Sequence, residues 1–178
     1  IHRDGDINAC GMIGIRHLFH ALISANECEL AYKIITAKSR TGYGYWIENG
    51  ATSLWESFKT KDDPKKDKKN HHFLGDISSL FIQEIAGLKP NPNADDIRYF
   101  EISPHFIDEL DYAKASYESQ YGRVSVKWER KENSIKLDIS IPDGTYGKTV
   151  LPYGYCFENG DTAIDLTGNQ FSFTAVSK

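Results

Sequence analysis

Apolar residues in the first half of the chain recur at the spacing of a helix that buries one face. Residues from Cys10 to about Asn26 give the clearest pattern, and Asp6 or Asn8 is placed to cap its start. The pattern resumes from Glu29 to about Lys38 after a short connection, which predicts an antiparallel helical hairpin. A third helix is predicted from Asn70, as its N-cap, to a stop at Gly87. The apolar positions that carry the three predictions are Met12, Ile15, Leu18, Phe19, Leu22 and Ile23, then Leu30, Ala31, Ile34 and Ile35, then Phe73, Ile77, Leu80, Phe81 and Ile85.

The period changes after "KPNPNADD", residues 89–96, whose prolines and asparagines end helices and predict a linker. Beyond it apolar and polar residues alternate, which is typical of half-buried strands. The segments "RVSVKWER" and "SIKLDISI" show this best, and the "KEN" between them predicts a hairpin turn. "AKASYES" and "QFSFTAV" alternate similarly, and strands at this spacing favour an antiparallel sandwich. The inward positions predicted in the first pair are Val124, Val126, Trp128, Ile135, Leu137, Ile139 and Ile141.

Together the two periods predict an α+β chain in two parts. Residues 1–88 supply the helices, 89–96 the linker and 97–178 an antiparallel β-sandwich. Each helix is amphipathic on a wide stripe that three or four helices cover only in part. The chain also starts at Ile1 and has its single methionine at Met12. Both observations predict a processed product or a piece of a larger protein, with further helices upstream.

Composition excludes several classes of function. An apolar content of 40% over 178 residues favours a packed chain over a disordered one. With 21 basic and 25 acidic residues, the chain lacks the basic face that nucleic acid requires, and the lysine-rich segment "KTKDDPKKDKK" is predicted to be a solvated loop. No run reaches the roughly eighteen apolar residues of a membrane span. We therefore predict neither a nucleic-acid nor a membrane partner.

Cysteine and histidine residues give little indication of a metal. Cys10, Cys28 and Cys156 are too few and too scattered for a disulfide framework or a metal knuckle, and we interpret them as reduced thiols, buried or idle. The histidine pair His17 and His20, and the pair His72 and Asp76, could each bind one ion from a helix, but neither has a third ligand at a recognised spacing. Neither a phosphate-binding glycine loop nor a nucleophile elbow is present. No metal and no cofactor is predicted.

The segment "GYGYWIENGATSLWESF", residues 42–58, sets two acids among several aromatic rings. Glu56 follows Trp55, and an acid beside a ring is partly desolvated, which raises its pKa towards that of a general acid or base. The alternative is a surface acid beside a packed ring. Glu48 opens a Glu-Asn-Gly turn, where it can cap the following amides instead. His71, near the start of the third helix, can donate to a sugar hydroxyl or be a histidine satisfied by the protein.

The motifs together resemble a known family. "GYGYWIENGATSLWE", then "NHHFLGDISSLFIQEIAGLKPNP", then "AKASYESQYGRVSVKW" are similar, in order, to the C-terminal end of the bacterial α-L-rhamnosidases, glycoside hydrolase family 78. The preceding "ELAYKII" fits as well. The resemblance covers nearly the whole chain. It implies that residues 1–88 are the last helices of an (α/α)6 catalytic barrel and that the β-sandwich follows it.

The resemblance also implies an activity and site residues. The family hydrolyses terminal α-L-rhamnose from glycosides with inversion, without metal or organic cofactor. By motif position Glu56 is the general base, His71 contacts rhamnose, and Trp46 and Trp55 wall the pocket. The general acid lies upstream of this chain, so the intact protein is expected to be the enzyme and the fragment alone inactive. The implied partners are a rhamnose-containing glycoside or polysaccharide and the rest of the parent chain upstream of Ile1.

Two departures and two rival functions stay open. Many relatives carry Arg where this chain has Ser57, and the loop from Phe58 to Lys69 is short and lysine-rich, so leaving-group specificity is in doubt. A non-catalytic carbohydrate-binding or interaction protein would instead use tyrosines of the sandwich. Another glycosidase or lyase would keep the barrel and change the sugar. Compartment, cytoplasm or periplasm, is not indicated, since the polar "IHRDGDINACG" forms no secretory core. The sandwich tyrosines concerned are Tyr117, Tyr121, Tyr153 and Tyr155.

Overall fold

The computed structural model describes residues 10–39, 42–56, 58, 70, 72–89 and 95–178. The chain divides into two compact units, Ile1–Ser78 and Ser79–Lys178. The first is helical and the second is mostly strand. No helix in the described ranges is both long enough and apolar enough to cross a membrane.

The first unit confirms the two helices predicted from the N-terminal pattern. Helix α1 is Met12–Ser24, helix α2 is Cys28–Thr36, and a short helix α3, Tyr43–Glu48, follows. The turn between α1 and α2 includes Asn26 at a φ of 61°, a left-handed conformation that asparagine tolerates. The buried residues of this unit lie at the predicted spacing and extend into α3, and they are Ile15, Phe19, Cys28, Leu30, Ala31, Ile34, Ile35, Tyr43, Tyr45, Trp46 and Leu74.

The third predicted helix is present but irregular. It runs as a 3₁₀ helix His72–Asp76, an α-helical turn α4 at Ile77–Ser79, and a π-helix Leu80–Ile85. These windings turn by different angles per residue, so a 3.6-residue period does not keep one face inward. Phe73 and Phe81 are 45% and 39% exposed, whereas Leu80 and Ile85 are buried. The prediction that both phenylalanines share the buried face is therefore wrong.

Of the two predicted ends of this segment, the structure confirms only the C-terminal one. Asn70 has a φ of 63° and its amide donates to the Leu54 carbonyl at 2.7 Å, so it is not the predicted N-cap, which requires an extended backbone. Gly87 has a φ of 86°, and a Cβ there would lie 2.2 Å from the Pro104 nitrogen. The predicted stop at Gly87 is confirmed, because only glycine accepts both constraints.

Two sheets form the second unit within the described residues. The four-stranded sheet has the order β1-β2-β6-β8 and the five-stranded sheet the order β3-β4-β5-β9-β7. The strands are β1 Leu88–Lys89, β2 Tyr99–Ile102, β3 Tyr112–Ser119, β4 Gly122–Lys131, β5 Ser134–Ser140, β6 Tyr146–Val150, β7 Tyr155–Phe157, β8 Ala163–Thr167 and β9 Gln170–Ser177.

The five-stranded sheet confirms the alternation seen in the sequence. Strands β4 and β5 form the predicted hairpin, with Lys131 opposite Ser134 at its turn. Every predicted inward residue is buried, and Trp128 and Leu137 are fully so. The Trp128 indole donates to the Ile85 carbonyl at 2.8 Å, which satisfies the one polar atom of this buried ring.

One strand pair departs from the antiparallel prediction. β2 runs parallel to β6, with Tyr99 opposite Tyr146 and Ile102 opposite Thr149. A parallel pair needs a long crossover, and here the chain makes β3, β4 and β5 of the other sheet before it returns. Alternation within each strand gives the period but not the direction of its neighbour.

The described part of the predicted linker is short. Lys89, its first residue, lies in β1 opposite Glu101, and residues 90–94 are outside the described ranges. The two compact units divide the chain between Ser78 and Ser79, so the boundaries at 88 and 97 stay a prediction.

Candidate active site

An aromatic cluster occupies the end of helix α3 and the segment after it. The Trp46 ring stacks on Phe58 with centroids 4.6 Å apart and meets Tyr43 edge-on at 4.9 Å. The Trp55 ring lies 6.0 Å from Trp46 at a tilt. Aromatic pairs at these separations add to the stability that burial gives. The aromatic residues of the predicted segment are therefore packed together.

Glycines let this helix pack closely against the end of α2. A Cβ on Gly42 would lie 2.1 Å from the Ala37 carbonyl oxygen, and one on Gly44 would lie 2.2 Å from the Thr36 carbonyl oxygen. At Gly42 the φ is −107°, which any residue adopts, so the requirement is close approach and not a turn.

Tyr43 links α3 to the 3₁₀ helix. Its hydroxyl donates to the Leu74 carbonyl at 3.0 Å, and its side chain is buried. Burial, and then the negative charge of Asp76, raise the pKa of Tyr43 well above its usual range. The ring therefore stays neutral and positions both elements.

The two tryptophans that the family resemblance assigned to the pocket differ in exposure. Trp46 is only 2% exposed, and its indole nitrogen finds no hydrogen-bond partner among the described residues. Trp55 is half-buried and so keeps part of its surface open. Trp55 therefore keeps exposed surface, while Trp46 is packed inside the aromatic cluster.

The two carboxylates of the segment have different surroundings. Glu56 is half-buried, directly after Trp55, and its side chain makes no hydrogen bond or ion pair to the described part of the chain. Glu48 is 51% exposed, and its Oε1 lies 2.8 Å from Lys38 Nζ. The turn predicted after Glu48 is confirmed, with Gly50 at a φ of 76°. Glu48 is thus exposed and paired with Lys38, whereas Glu56 is half-buried and has no ion pair within the described residues.

Histidine and aspartate side chains near the 3₁₀ helix form contacts that the sequence did not indicate. His20 on α1 lies 3.1 Å from Asp76 Oδ2, and Arg16 Nε lies 3.6 Å from the same oxygen. The sequence spacing instead pairs Asp76 with His72, four residues away, as two possible ligands of one ion. In a 3₁₀ helix residues three apart share a face, so that spacing does not align the two side chains.

Several predicted positions lie outside the described residues. They include His71, Ser57 and the lysine-rich segment 59–69. Within the described ranges, no three His, Cys, Asp or Glu side chains are placed to hold a metal ion. Cys10, Cys28 and Cys156 form no disulfide within the described ranges, and they are exposed, buried and half-buried respectively.

The chemistry available at this site follows from its two kinds of group. A half-buried carboxylate can accept a proton from water. The open surface of Trp55 can contact the apolar face of a sugar ring. A carboxylate next to an aromatic ring therefore combines a proton acceptor with a surface that suits a sugar ring.

Comparison with known proteins identifies the family. The model of the bacterial alpha-L-rhamnosidase 6 hairpin glycosidase domain matches residues 1–85, and the model of the bacterial alpha-L-rhamnosidase C-terminal domain matches residues 87–156. The chain belongs to the bacterial α-L-rhamnosidase family. The resemblance drawn from the motifs is confirmed.

Two α-L-rhamnosidases from other organisms are similar to most of this chain. An α-L-rhamnosidase of Streptomyces avermitilis is 25% identical over 148 residues, which is 80% of this chain and 14% of the relative. One from Formosa agariphila is 24% identical over 176 residues, which is 96% of this chain and 18% of the relative. This chain therefore spans less than a fifth of the length of either.

Solved structures confirm the fold class. The α-L-rhamnosidase from Dictyoglumus thermophilum aligns with a TM-score of 0.85 at 26% identity, over 98% of this chain and 22% of that one. The Streptomyces avermitilis α-L-rhamnosidase complexed with L-rhamnose aligns with a TM-score of 0.84 at 22% identity, over 98% of this chain and 18% of that one. The second likeness shows the fold alone.

Proposed function

We propose that the protein containing this chain is an α-L-rhamnosidase that hydrolyses terminal α-L-rhamnose from glycosides. The observation that carries the proposal is the position of Glu56, a half-buried carboxylate next to the Trp55 ring in a chain matched by both rhamnosidase domains. The relatives named above are α-L-rhamnosidases, and one was solved with L-rhamnose. The ligand of that relative supports rhamnose as the sugar.

Glu56 acts as the general base of an inverting reaction in this proposal. Its carboxylate takes a proton from a water molecule while the water oxygen attacks the anomeric carbon, and the bond from that carbon to the leaving oxygen breaks. A carboxylic acid from another part of the protein protonates the leaving oxygen. The product is a rhamnose of inverted anomeric configuration and a free alcohol.

Neighbouring groups serve to hold the sugar. Trp55 supplies a flat surface for the apolar face of the ring, and Trp46 keeps Trp55 in place from a buried position 6.0 Å away. His71 donates a hydrogen bond to a rhamnose hydroxyl. Glu48 is not the base in this scheme, because it is exposed and its Oε1 lies 2.8 Å from Lys38 Nζ, whereas Glu56 directly follows Trp55 in sequence.

The test is the Glu56→Gln substitution in the full-length protein, assayed for release of rhamnose from an aryl α-L-rhamnoside. Glutamine keeps the size of the side chain but cannot accept the proton. We expect kcat to fall by about 10² to 10⁴ with little change in KM. The matched control is Glu48→Gln, which we expect to keep near-normal turnover. The 178-residue chain alone should release no rhamnose, because it lacks the acid.

Three outcomes would contradict the proposal in different ways. Unaltered turnover in Glu56→Gln removes this residue from the mechanism. Equal losses in Glu56→Gln and Glu48→Gln indicate a structural effect of both changes. Release of another sugar in preference to rhamnose, across a panel of aryl glycosides, keeps the glycosidase and replaces the substrate.

The rival function, a non-catalytic sugar-binding sandwich, has less support. Two of its four candidate tyrosines are half-buried and pack against core rings, Tyr117 with its ring 6.3 Å from Phe100 and Tyr155 with its ring 5.0 Å from Phe106. Tyr153 is 90% exposed and Tyr121 is 41% exposed. Packing accounts for the first two, and the other two do not form a ring platform with them.

A further inference from the structure

A groove crosses the outer face of the five-stranded sheet, which the proposed reaction does not use. Its volume is about 720 Å³. The buried side chains of strands β4 and β5 point into the core, so the alternate residues of the same strands form this outer face. The lining residues that point outward are Lys114, Ser116, Arg123, Ser125, Lys127, Asp138, Ser140, Gln170 and Ser172.

The strand register places short polar side chains in one row along the floor. Ser116 is opposite Ser125, Ser125 is opposite Ser140, and Ser140 is opposite Gln170. Four adjacent strands at roughly 4.8 Å spacing give the row a length of about 14 Å. Because serine is small, the row is lower than the longer side chains beside it. The length of about 14 Å matches that of a short oligosaccharide segment.

Most of the hydrogen-bonding capacity of this row is unused. The Ser116 hydroxyl accepts from Arg123 Nη2 at 2.9 Å. The side chains of Ser125, Ser140 and Gln170 make no hydrogen bond to any residue that the structure describes. Three adjacent side chains, two hydroxyls and one amide, therefore present donors and acceptors to whatever lies in the groove.

The neighbouring row is rich in positive charge. Lys114 is opposite Lys127, Lys127 is opposite Asp138, and Arg123 lies at the end of the groove. Asp138 is held by Ser172 at 2.7 Å and by Lys136 at 2.9 Å, and Lys127 by Glu129 at 2.7 Å. Lys114 makes no ion pair within the described residues.

The local charge contrasts with that of the chain. Lining cations outnumber lining carboxylates three to one, although the chain carries a net charge of −4. Arg123 has a loose partner outside the lining, with its Nε 4.0 Å from Glu118 Oε1 and both side chains largely exposed. Glu129 is shared between Lys127 and Lys131, so its charge does not neutralise both. A groove of this sign attracts an anion and positions it against the row of hydroxyls.

We propose that this groove binds an acidic polysaccharide, with Lys114 and Arg123 contacting its carboxylate or sulfate groups and the Ser125, Ser140 and Gln170 row contacting its hydroxyls. The choice of a carbohydrate over other polyanions rests on the proposed glycosidase function. Such a site contacts parts of a polymer other than the bond that is broken. It therefore adds affinity for a polymeric substrate and none for a small aryl glycoside.

The test is affinity electrophoresis of the full-length protein in gels that contain polygalacturonate, dextran sulfate, or methyl-esterified polygalacturonate. We expect retardation by at least one acidic polymer and none by the ester, and the stronger acidic polymer identifies the acid group. Lys114→Ala should weaken binding about threefold to fivefold, since its charge is exposed. Ser125→Asp should weaken it about tenfold or more, because it sets a like charge in the floor.

The matched control is Lys148→Ala, which removes one positive charge from the outer face of the other sheet and should change binding less than about twofold. Rhamnose release from the aryl glycoside should be normal in Lys114→Ala, and Glu56→Gln should bind polymer normally. A failure of the groove proposal can therefore be distinguished from a failure of the proposed rhamnosidase function. Circular dichroism checks the folding of Ser125→Asp. The groove proposal is overturned by no retardation, by equal retardation in the ester, by equal binding of a single-stranded DNA, or by unchanged binding in Lys114→Ala.

Discussion

The helical unit and the sandwich unit differ in how closely structure follows the period of the sequence. In the sandwich, residues two apart alternate between core and surface along β4 and β5, and the predicted inward set is buried throughout. In the helical unit, the segment that starts at His72 is a 3₁₀ helix instead of the regular helix that its apolar spacing predicted. A strand's two-residue period survives local distortion better than a helix period does.

The units also differ in what they leave exposed. On the helices, the aliphatic residues Ile13 and Ile47 are each 74% exposed. On the sandwich, the large exposed side chains are mainly tyrosines, which have a polar end. The second unit exposes two aliphatic residues as well, Ile82 at 45% and Ile97 at 66%, so the contrast is one of degree.

The largest effect we expect comes from the sandwich core. Trp128→Ala removes a fully buried ring and leaves the Ile85 carbonyl without its donor. We expect the free energy of unfolding to fall by about 3 to 5 kcal/mol. Urea unfolding of the 178-residue chain, followed by far-ultraviolet circular dichroism, measures it. Tyr153→Ala, at a 90% exposed aromatic position, is the control and should change it by less than about 0.5 kcal/mol. Similar losses in both variants would contradict a self-contained sandwich core.

A smaller effect is expected in the helical unit. Tyr43→Phe keeps the ring in the aromatic cluster but removes the hydroxyl that donates to the Leu74 carbonyl. We expect a loss of about 1 kcal/mol in the same unfolding measurement. Tyr45→Phe is the matched control, because this neighbouring buried tyrosine makes no hydroxyl hydrogen bond to the described residues. If both variants were equally stable, the link between α3 and the 3₁₀ helix would not depend on this bond.

The smallest effect is a dependence on pH in the sandwich unit. Burial of His105, opposed by its bond to the Glu84 carbonyl and aided by Lys89, lowers its pKa below the ordinary value of 6.5. The unfolded chain therefore takes up a proton first as the pH falls. The free energy of unfolding should be highest above pH 6.5 and decrease as the pH falls from there towards the lowered pKa.

The His105→Asn variant tests this dependence, since an asparagine amide can still donate to the Glu84 carbonyl but does not titrate. Between pH 7.5 and pH 5.5, the free energy of unfolding should decrease less in the variant than in the parent chain. The control Tyr153→Ala should show the same decrease in the free energy of unfolding between these pH values as the parent chain. An equal loss in His105→Asn and the parent would assign the pH dependence to other groups.

Much of the fold was predictable because its signals are local. The helices α1 and α2, the β4 and β5 hairpin, and the stop at Gly87 each depend on residues close in sequence. The parallel pairing of β2 with β6 was not predictable, because the two strands are separated by three strands of the other sheet. Register between distant strands depends on the path of the intervening chain.

For the candidate site, sequence motifs selected the segment but not the roles within it. Glu56 and Glu48 look alike in sequence, as two acids beside aromatic residues. Lys38, ten residues before Glu48, makes the difference, and no spacing rule connects the two. The contacts of His20 and Arg16 with Asp76 were missed for the same reason, since more than fifty residues separate the partners.

The sequence by itself determined the family, the order of helices and strands, and which strand residues face inward, because these depend on residue type and on short periods. Only the tertiary structure decided that Trp46 is buried while Trp55 keeps an open surface, that Glu56 lacks the ion pair that Glu48 has, and that a row of serines forms the floor of a cationic groove. Exposure, pairing and concavity belong to groups that the folded chain brings together from distant positions, and a linear pattern does not contain those distances.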